Sequence, residues 1–123
     1  MLVAAFVILA VAVLLGSVLA GLHLQTEGRA TAPWRLAALH GLLAISGLGC
    51  LALALRGPPR GLTQGTASFG TIAATLITMA ALVGGGLLAA RVFKRRIAGI
   101  MIGVHATLAV SGFVILAAYV FLG

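Results

Sequence analysis

Between Leu2 and Leu22 the chain reads Leu-Val-Ala-Ala-Phe-Val-Ile-Leu-Ala-Val-Ala-Val-Leu-Leu-Gly-Ser-Val-Leu-Ala-Gly-Leu, without one charged residue. About 20 such residues wound as a helix span the hydrocarbon of a bilayer. Three more runs of this kind follow, over 34–55, 69–90 and 97–122. Inside lipid every backbone N–H and C=O must be satisfied by the protein, so a spanning segment is either a helix or a strand of a closed barrel. The alternation of a barrel strand is absent. The runs therefore predict an all-α fold: a four-helix transmembrane bundle, up-down-up-down, with residues 1–123 forming a single integral membrane domain.

Composition agrees. Of 123 residues, 63% are hydrophobic and 7% charged, too little polar surface to clothe a soluble domain of this size. The first run lacks the basic start of a cleaved signal peptide and exceeds the usual length of its apolar core, so it is expected to persist as helix 1. Eight basic residues stand against the single acid Glu27, giving a formal charge of +7. Arg29, Arg35, Arg91, Lys94, Arg95 and Arg96 flank the connections after helices 1 and 3, and only Arg56 and Arg60 follow helix 2. Positive-inside bias then predicts loops 1 and 3 in the cytoplasm and both termini outside, as in a bacterial inner membrane. No soluble domain or aromatic-studded basic surface accompanies the charge, so nucleic acid is not an expected partner and lipid headgroups are. Cys50 is the only cysteine, which leaves it a small packing group.

The chain also repeats itself. From His40 it reads His-Gly-Leu-Leu-Ala-Ile-Ser-Gly and from His105 His-Ala-Thr-Leu-Ala-Val-Ser-Gly, and seven of 16 positions from each histidine are identical. Leu14, Gly16 and Leu19 of helix 1 fall against Leu82, Gly84 and Leu87 of helix 3. A repeated helical hairpin follows, with helices 2 and 4 parallel and their histidines at one depth. Ala44 and Ala109 stand one turn beyond the histidines on the same face, and Gly47 and Gly112 two turns beyond. Gly16 with Ser17, and Gly84 to Gly86, reach this level from the other two helices. Such glycines either draw backbones together or leave room for something flat.

An ionisable side chain inside a membrane is costly unless it has a use, and two at one depth are harder to dismiss. Neutral imidazole ligates transition metals and haem iron. Hydrogen bonding across helices to Ser or Thr, worth about 1 kcal/mol each, is the structural alternative; one-histidine pigments and simple metal sites are two others. With its four helices, and with His40 and His105 above their Ala and Gly companions, the chain resembles the transmembrane b-type cytochromes, in the broad sense of the cytochrome b561-like four-helix bundles. The resemblance implies axial ligation of haem b by His40 and His105, with nearby glycines admitting the porphyrin. It departs from the two-haem members, which carry two more intramembrane histidines, so one haem is implied. Arg35 and Arg91 are the expected propionate contacts, while Lys94, Arg95 and Arg96 read as headgroup anchors.

Two axial histidines would leave no open coordination position, which points to electron transfer rather than an enzyme. Candidate partners are a quinone, a redox protein, a second copy of the chain or a larger membrane complex. A cofactor-free accessory or scaffold subunit is the competing expectation. A small multidrug-type carrier fits the length but lacks an intramembrane acid, Glu27 falling between helices. His23 reads as a solvated interfacial histidine, and Met101, one turn before His105, as core filling. Thr71, Thr75 and Thr78 form a stripe expected to bond back to its own helix, with a quinone head-group pocket beside Tyr119 as the alternative. Gly99 and Gly103 form a Gly-x-x-x-Gly pair. No nucleophile, acid-base pair or phosphate loop is present, and no catalytic residue is expected.

Overall fold

A computed structural model describes residues 1–25, 33–97 and 99–123. It contains four helices and, among the described residues, no strand: α1 (Leu2–Gln25), α2 (Trp34–Ala54), α3 (Phe69–Val92) and α4 (Gly99–Leu122). Each is long and apolar enough to cross a membrane. At 1.5 Å per residue their lengths come to about 32–36 Å, against roughly 30 Å of hydrocarbon. The protein is an integral membrane four-helix bundle. Glu27 and Arg29 lie outside the described residues.

Four of the helix ends differ from the sequence reading by one to three residues, and one difference matters. Helix 4 starts at Gly99 rather than 97, so His105 is the seventh residue of α4, as His40 is the seventh of α2. The two histidines thus stand equally far from the starts of their helices.

The inward face of α1 alternates leucine with alanine. Both faces of every helix are apolar, so hydrophobic contrast cannot distinguish them. Val3, Val7, Val11, Leu14 and Val18 of α1 are exposed, whereas Leu2, Ala5, Leu9 and Ala12 are buried. The buried set steps by three and four residues, the spacing of coiled-coil seams, and places small side chains where helices meet. Without a hydrophobic drive between helices in lipid, close van der Waals contact supplies the attraction, and small residues permit it.

The same seam recurs in α3. Ala5, Leu9, Ala12 and Gly16 coincide at one constant offset with Ala73, Ile77, Ala80 and Gly84, and His40, Gly47 and Leu51 coincide likewise with His105, Gly112 and Leu116. Leu51 and Leu116 are the two largest fully buried side chains. The repeated hairpin is thus a structural repeat. α1 packs chiefly on α2 and α3 on α4, with lighter seams between α1 and α4 and between α2 and α3. Helices α2 and α4 therefore stand on one diagonal of the bundle. Stacked Phe6 and Phe113, with ring centres 5.1 Å apart, reinforce the α1–α4 seam near the N-terminus.

A tight loop joins α2 to α3, where Thr66 N–H bonds Gly61 C=O at 2.9 Å. Gly61 and Gly65 adopt φ of +72° and +71°, and a Cβ on Gly61 would collide with the Thr66 hydroxyl.

Gly47 and Gly112 turn out to be packing positions. A Cβ on Gly47 would lie 2.6 Å from Leu9 Cγ, and one on Gly112 would lie 2.8 Å from Ile77 Cγ1 and 3.2 Å from the Ile77 backbone nitrogen. They admit α1 and α3 side chains rather than leaving a gap. Gly112→Ala is therefore expected to cost about 1–3 kcal/mol in a detergent unfolding titration, because backbone cannot yield. Gly49→Ala, with open space at its Cβ, serves as the control and should leave stability unchanged or slightly raised.

Candidate functional site: a facing histidine pair

The His40 ring leaves α2 toward α1, and its Nδ1 lies 2.8 Å from the carbonyl oxygen of Ala12. His105 leaves α4 toward α3 and meets Ala80 in the same way, also at 2.8 Å. A carbonyl only accepts, so Nδ1 is the donor in both rings, and in neutral imidazole the lone pair then sits on Nε2. Neither Nε2 makes a hydrogen bond among the described residues. The two ring centres are 5.9 Å apart with planes at 81°. Each hairpin thus presents one oriented imidazole to the other across the α2–α4 diagonal.

The glycines at this level follow from these bonds. The carbonyl of Ala12 points along α1 toward residue 16, so a ring bonded to it lies over that residue. A Cβ on Gly16 would sit 2.9 Å from His40 Cε1, and one on Gly84 would sit 2.9 Å from His105 Cε1. Ala-x-x-x-Gly, at Ala12 to Gly16 and at Ala80 to Gly84, is in effect the receptor for a histidine from the neighbouring helix. The glycines were legible in the sequence and the alanine carbonyls were not. Their signal was that Ala12 and Ala80 share the offset that pairs Gly16 with Gly84.

The buried core ends at this layer. Between the histidines and the α1–α2 and α3–α4 connections no described helical residue is buried. Ala20, Ala37, Leu87 and Ile102 continue the inward positions and are only half-buried. The core lies wholly on the other side, around Leu2, Leu9, Leu51, Ile77, Leu116 and Tyr119. The histidine pair marks the border between a packed half and an open one.

The other expected residues fall into place around it. Ala44 and Ala109 are half-buried one turn from the histidines toward the core. Arg35 lies in the first turn of α2 and is exposed; Arg91 is half-buried in the last turn of α3. Both stand at the open end. Met101 is 41% exposed and fills no core. Thr75 and Thr78 bond the carbonyls of Thr71 and Ala74, and all three threonines of this stripe are exposed, whereas Tyr119 is buried. A head-group pocket shared by the stripe and Tyr119 is therefore not formed. His23 is half-buried and lines a cleft with Gly99 and Gly103. Among the described residues no cluster of three or more His, Cys, Asp or Glu side chains occurs, which is short of the four protein ligands of a closed structural zinc site.

If Gly16 holds the His40 ring in place by leaving it room, Gly16→Ala should displace that ring and break its Nδ1 bond. The expected result, read by ¹⁵N spectroscopy of ring-labelled histidine, is loss of the Nδ1–H signature of His40 alone. Gly85→Ala, with nothing near its Cβ, should leave both rings unchanged.

No family model, curated protein or solved structure matches the chain.

Proposed function

We propose that this protein is a membrane b-type cytochrome that carries electrons through one haem b held by His40 and His105. The observation that carries the reading is the facing pair: two imidazoles from opposite hairpins, each with Nδ1 committed to a backbone carbonyl and Nε2 left over. Histidines that ligate metals characteristically donate the other ring N–H to such a carbonyl, which fixes the tautomer and orients the ring. At 5.9 Å between ring centres the two imidazoles are close enough for one metal centre to be held by both. Two histidines, with no group of three or more His, Cys, Asp or Glu among the described residues, suit a macrocycle that would supply the remaining nitrogen ligands itself.

Haem b, when bound, supplies a one-electron ferric/ferrous couple. The chain's residues do the rest. His40 and His105 would hold the group through their Nε2 atoms, and two such ligands from the chain favour electron transfer over chemistry at the metal. The carbonyls of Ala12 and Ala80 raise the basicity of the ligands through their Nδ1–H bonds. Gly16, Gly84, Ala44 and Ala109 keep the surroundings of the rings narrow. The inward positions beyond the histidine layer are only half-buried, and Arg35 and Arg91 stand at that end, where they would neutralise two propionates. Their position, with Lys94, Arg95 and Arg96, also supports placing this end in the cytoplasm of a bacterial inner membrane and the termini outside.

The test is a visible spectrum of the purified protein, oxidised and dithionite-reduced. One low-spin haem per chain is expected, lost in His40→Ala and in His105→Ala. Folded, colourless protein from haem-replete cells would leave the cofactor-free accessory subunit as the better reading.

A further inference from the structure

The turn that ends α3 holds a lysine in a conformation that ordinarily belongs to glycine. Lys94 N–H bonds the carbonyl of Arg91 at 3.0 Å, and Arg95 N–H bonds that of Ala90 at 2.8 Å. This pair of bonds closes a helix with one residue in the left-handed region, where a Cβ crowds the following carbonyl and glycine is preferred. That residue is Lys94, at φ +52°, the only non-glycine with positive φ among the described residues. A chain with 17 glycines thus has a lysine where glycine would be easiest. Lys94, Arg95 and Arg96 are all exposed. The single acid of the chain, Glu27, lies outside the described residues, so no acidic side chain among the described residues neutralises them.

The level of this turn and the surface beneath it suit a lipid. With 24 residues, α3 is about 36 Å long, so its last turn passes roughly 30 Å of hydrocarbon and reaches the headgroups. Trp34, exposed at the start of the neighbouring α2, belongs to the same border. Below the cations Gly85, Ala89 and Phe93 follow at four-residue steps, with Gly86 beside them, and all four are exposed. A Cβ on either glycine would meet nothing within 4 Å. An acyl chain can therefore lie close against the backbone there. In the repeat, Ser17, Val18 and Gln25 of α1 stand where Gly85, Gly86 and Phe93 do, so the combination is peculiar to α3.

We infer that the α3–α4 turn is a discrete site for one anionic phospholipid with two phosphate groups, held by Lys94, Arg95 and Arg96, with an acyl chain along Ala89 and Gly85. Charge complementarity selects the class. Arginine forks bind phosphate oxygens in pairs and lysine adds a point charge. Three adjacent cations exceed the charge of a single phosphodiester, and a second phosphate brings the balance closer. A second copy of the chain would set cations against cations, and an apolar helix would leave them without a counter-charge. Diffuse attraction to an anionic surface would require neither a strained lysine nor open glycines below it. The site is separate from the histidine pair and does not depend on the cytochrome reading.

The test is native mass spectrometry of the full-length protein in neutral detergent, titrated with cardiolipin, phosphatidylglycerol or phosphatidylcholine. One cardiolipin per chain is expected, bound at least about tenfold more tightly than phosphatidylcholine. Lys94→Gly gives the turn its preferred residue while deleting a charge, so it should raise the thermal unfolding midpoint and weaken cardiolipin about fivefold. Arg95→Gln combined with Arg96→Gln should weaken it about twentyfold. Arg56→Gln with Arg60→Gln, at the other end of the bundle, should leave binding unchanged. Phosphatidylcholine held as tightly as cardiolipin, or affinity indifferent to the Lys94 and arginine variants, would overturn the site. Equal affinity for phosphatidylglycerol would overturn the two-phosphate assignment, and displacement of cardiolipin by an equal concentration of inorganic pyrophosphate would show a site for soluble anions instead of a lipid.

Discussion

The bond from a histidine Nδ1 to an alanine carbonyl on the neighbouring helix is the interaction on which the rest of this structure depends. It occurs twice, at His40 to Ala12 and at His105 to Ala80, with the same 2.8 Å length. An imidazole inside lipid needs a partner, and the carbonyl provides one without any polar side chain. Because that carbonyl leans toward the residue four positions on, the ring covers residue 16 or 84, and only glycine fits beneath it. One bond therefore specifies two helices, their separation and their register.

The hairpins assemble on different terms. Lipid is as apolar as leucine, so helices gain nothing by merely hiding valine and leucine, and shape has to decide the contact. Small residues at three- and four-residue steps bring α1 to α2 and α3 to α4, and the large side chains Leu51 and Leu116 close the core between them. This packing stops at the histidine layer. Beyond it the inward positions are half-exposed, which makes the histidine layer the edge of the packed core.

Much of this was legible beforehand because the relevant signals are chemical or repetitive. Four apolar runs dictate four crossings. The match of His40 with His105 and of Gly16 with Gly84 brought the right residues to one layer. The purpose of Gly47 and Gly112 was not legible, since a glycine that admits a neighbour's leucine and one that admits a cofactor look alike in a string. Met101 misled for a related reason: helical spacing puts it on the histidine's face only approximately, and its 41% exposure shows it outside the core. The threonine stripe could not be oriented, because outward and inward faces in a membrane are both apolar and both tolerate a hydroxyl that bonds back to its own helix.

By itself the sequence determined that the chain is helical, spans a membrane four times and carries two equivalent histidines in a doubled hairpin. The physical reason is that lipid forbids unsatisfied backbone and rewards long apolar helices, a constraint read from composition and run length alone. Only the tertiary structure decided which ring nitrogen is spent, that the imidazoles face each other at 5.9 Å along a diagonal, and that the packed core ends where they meet. Those facts depend on the rotation of each helix about its axis, and in lipid that rotation is settled by the fit of small residues between neighbours.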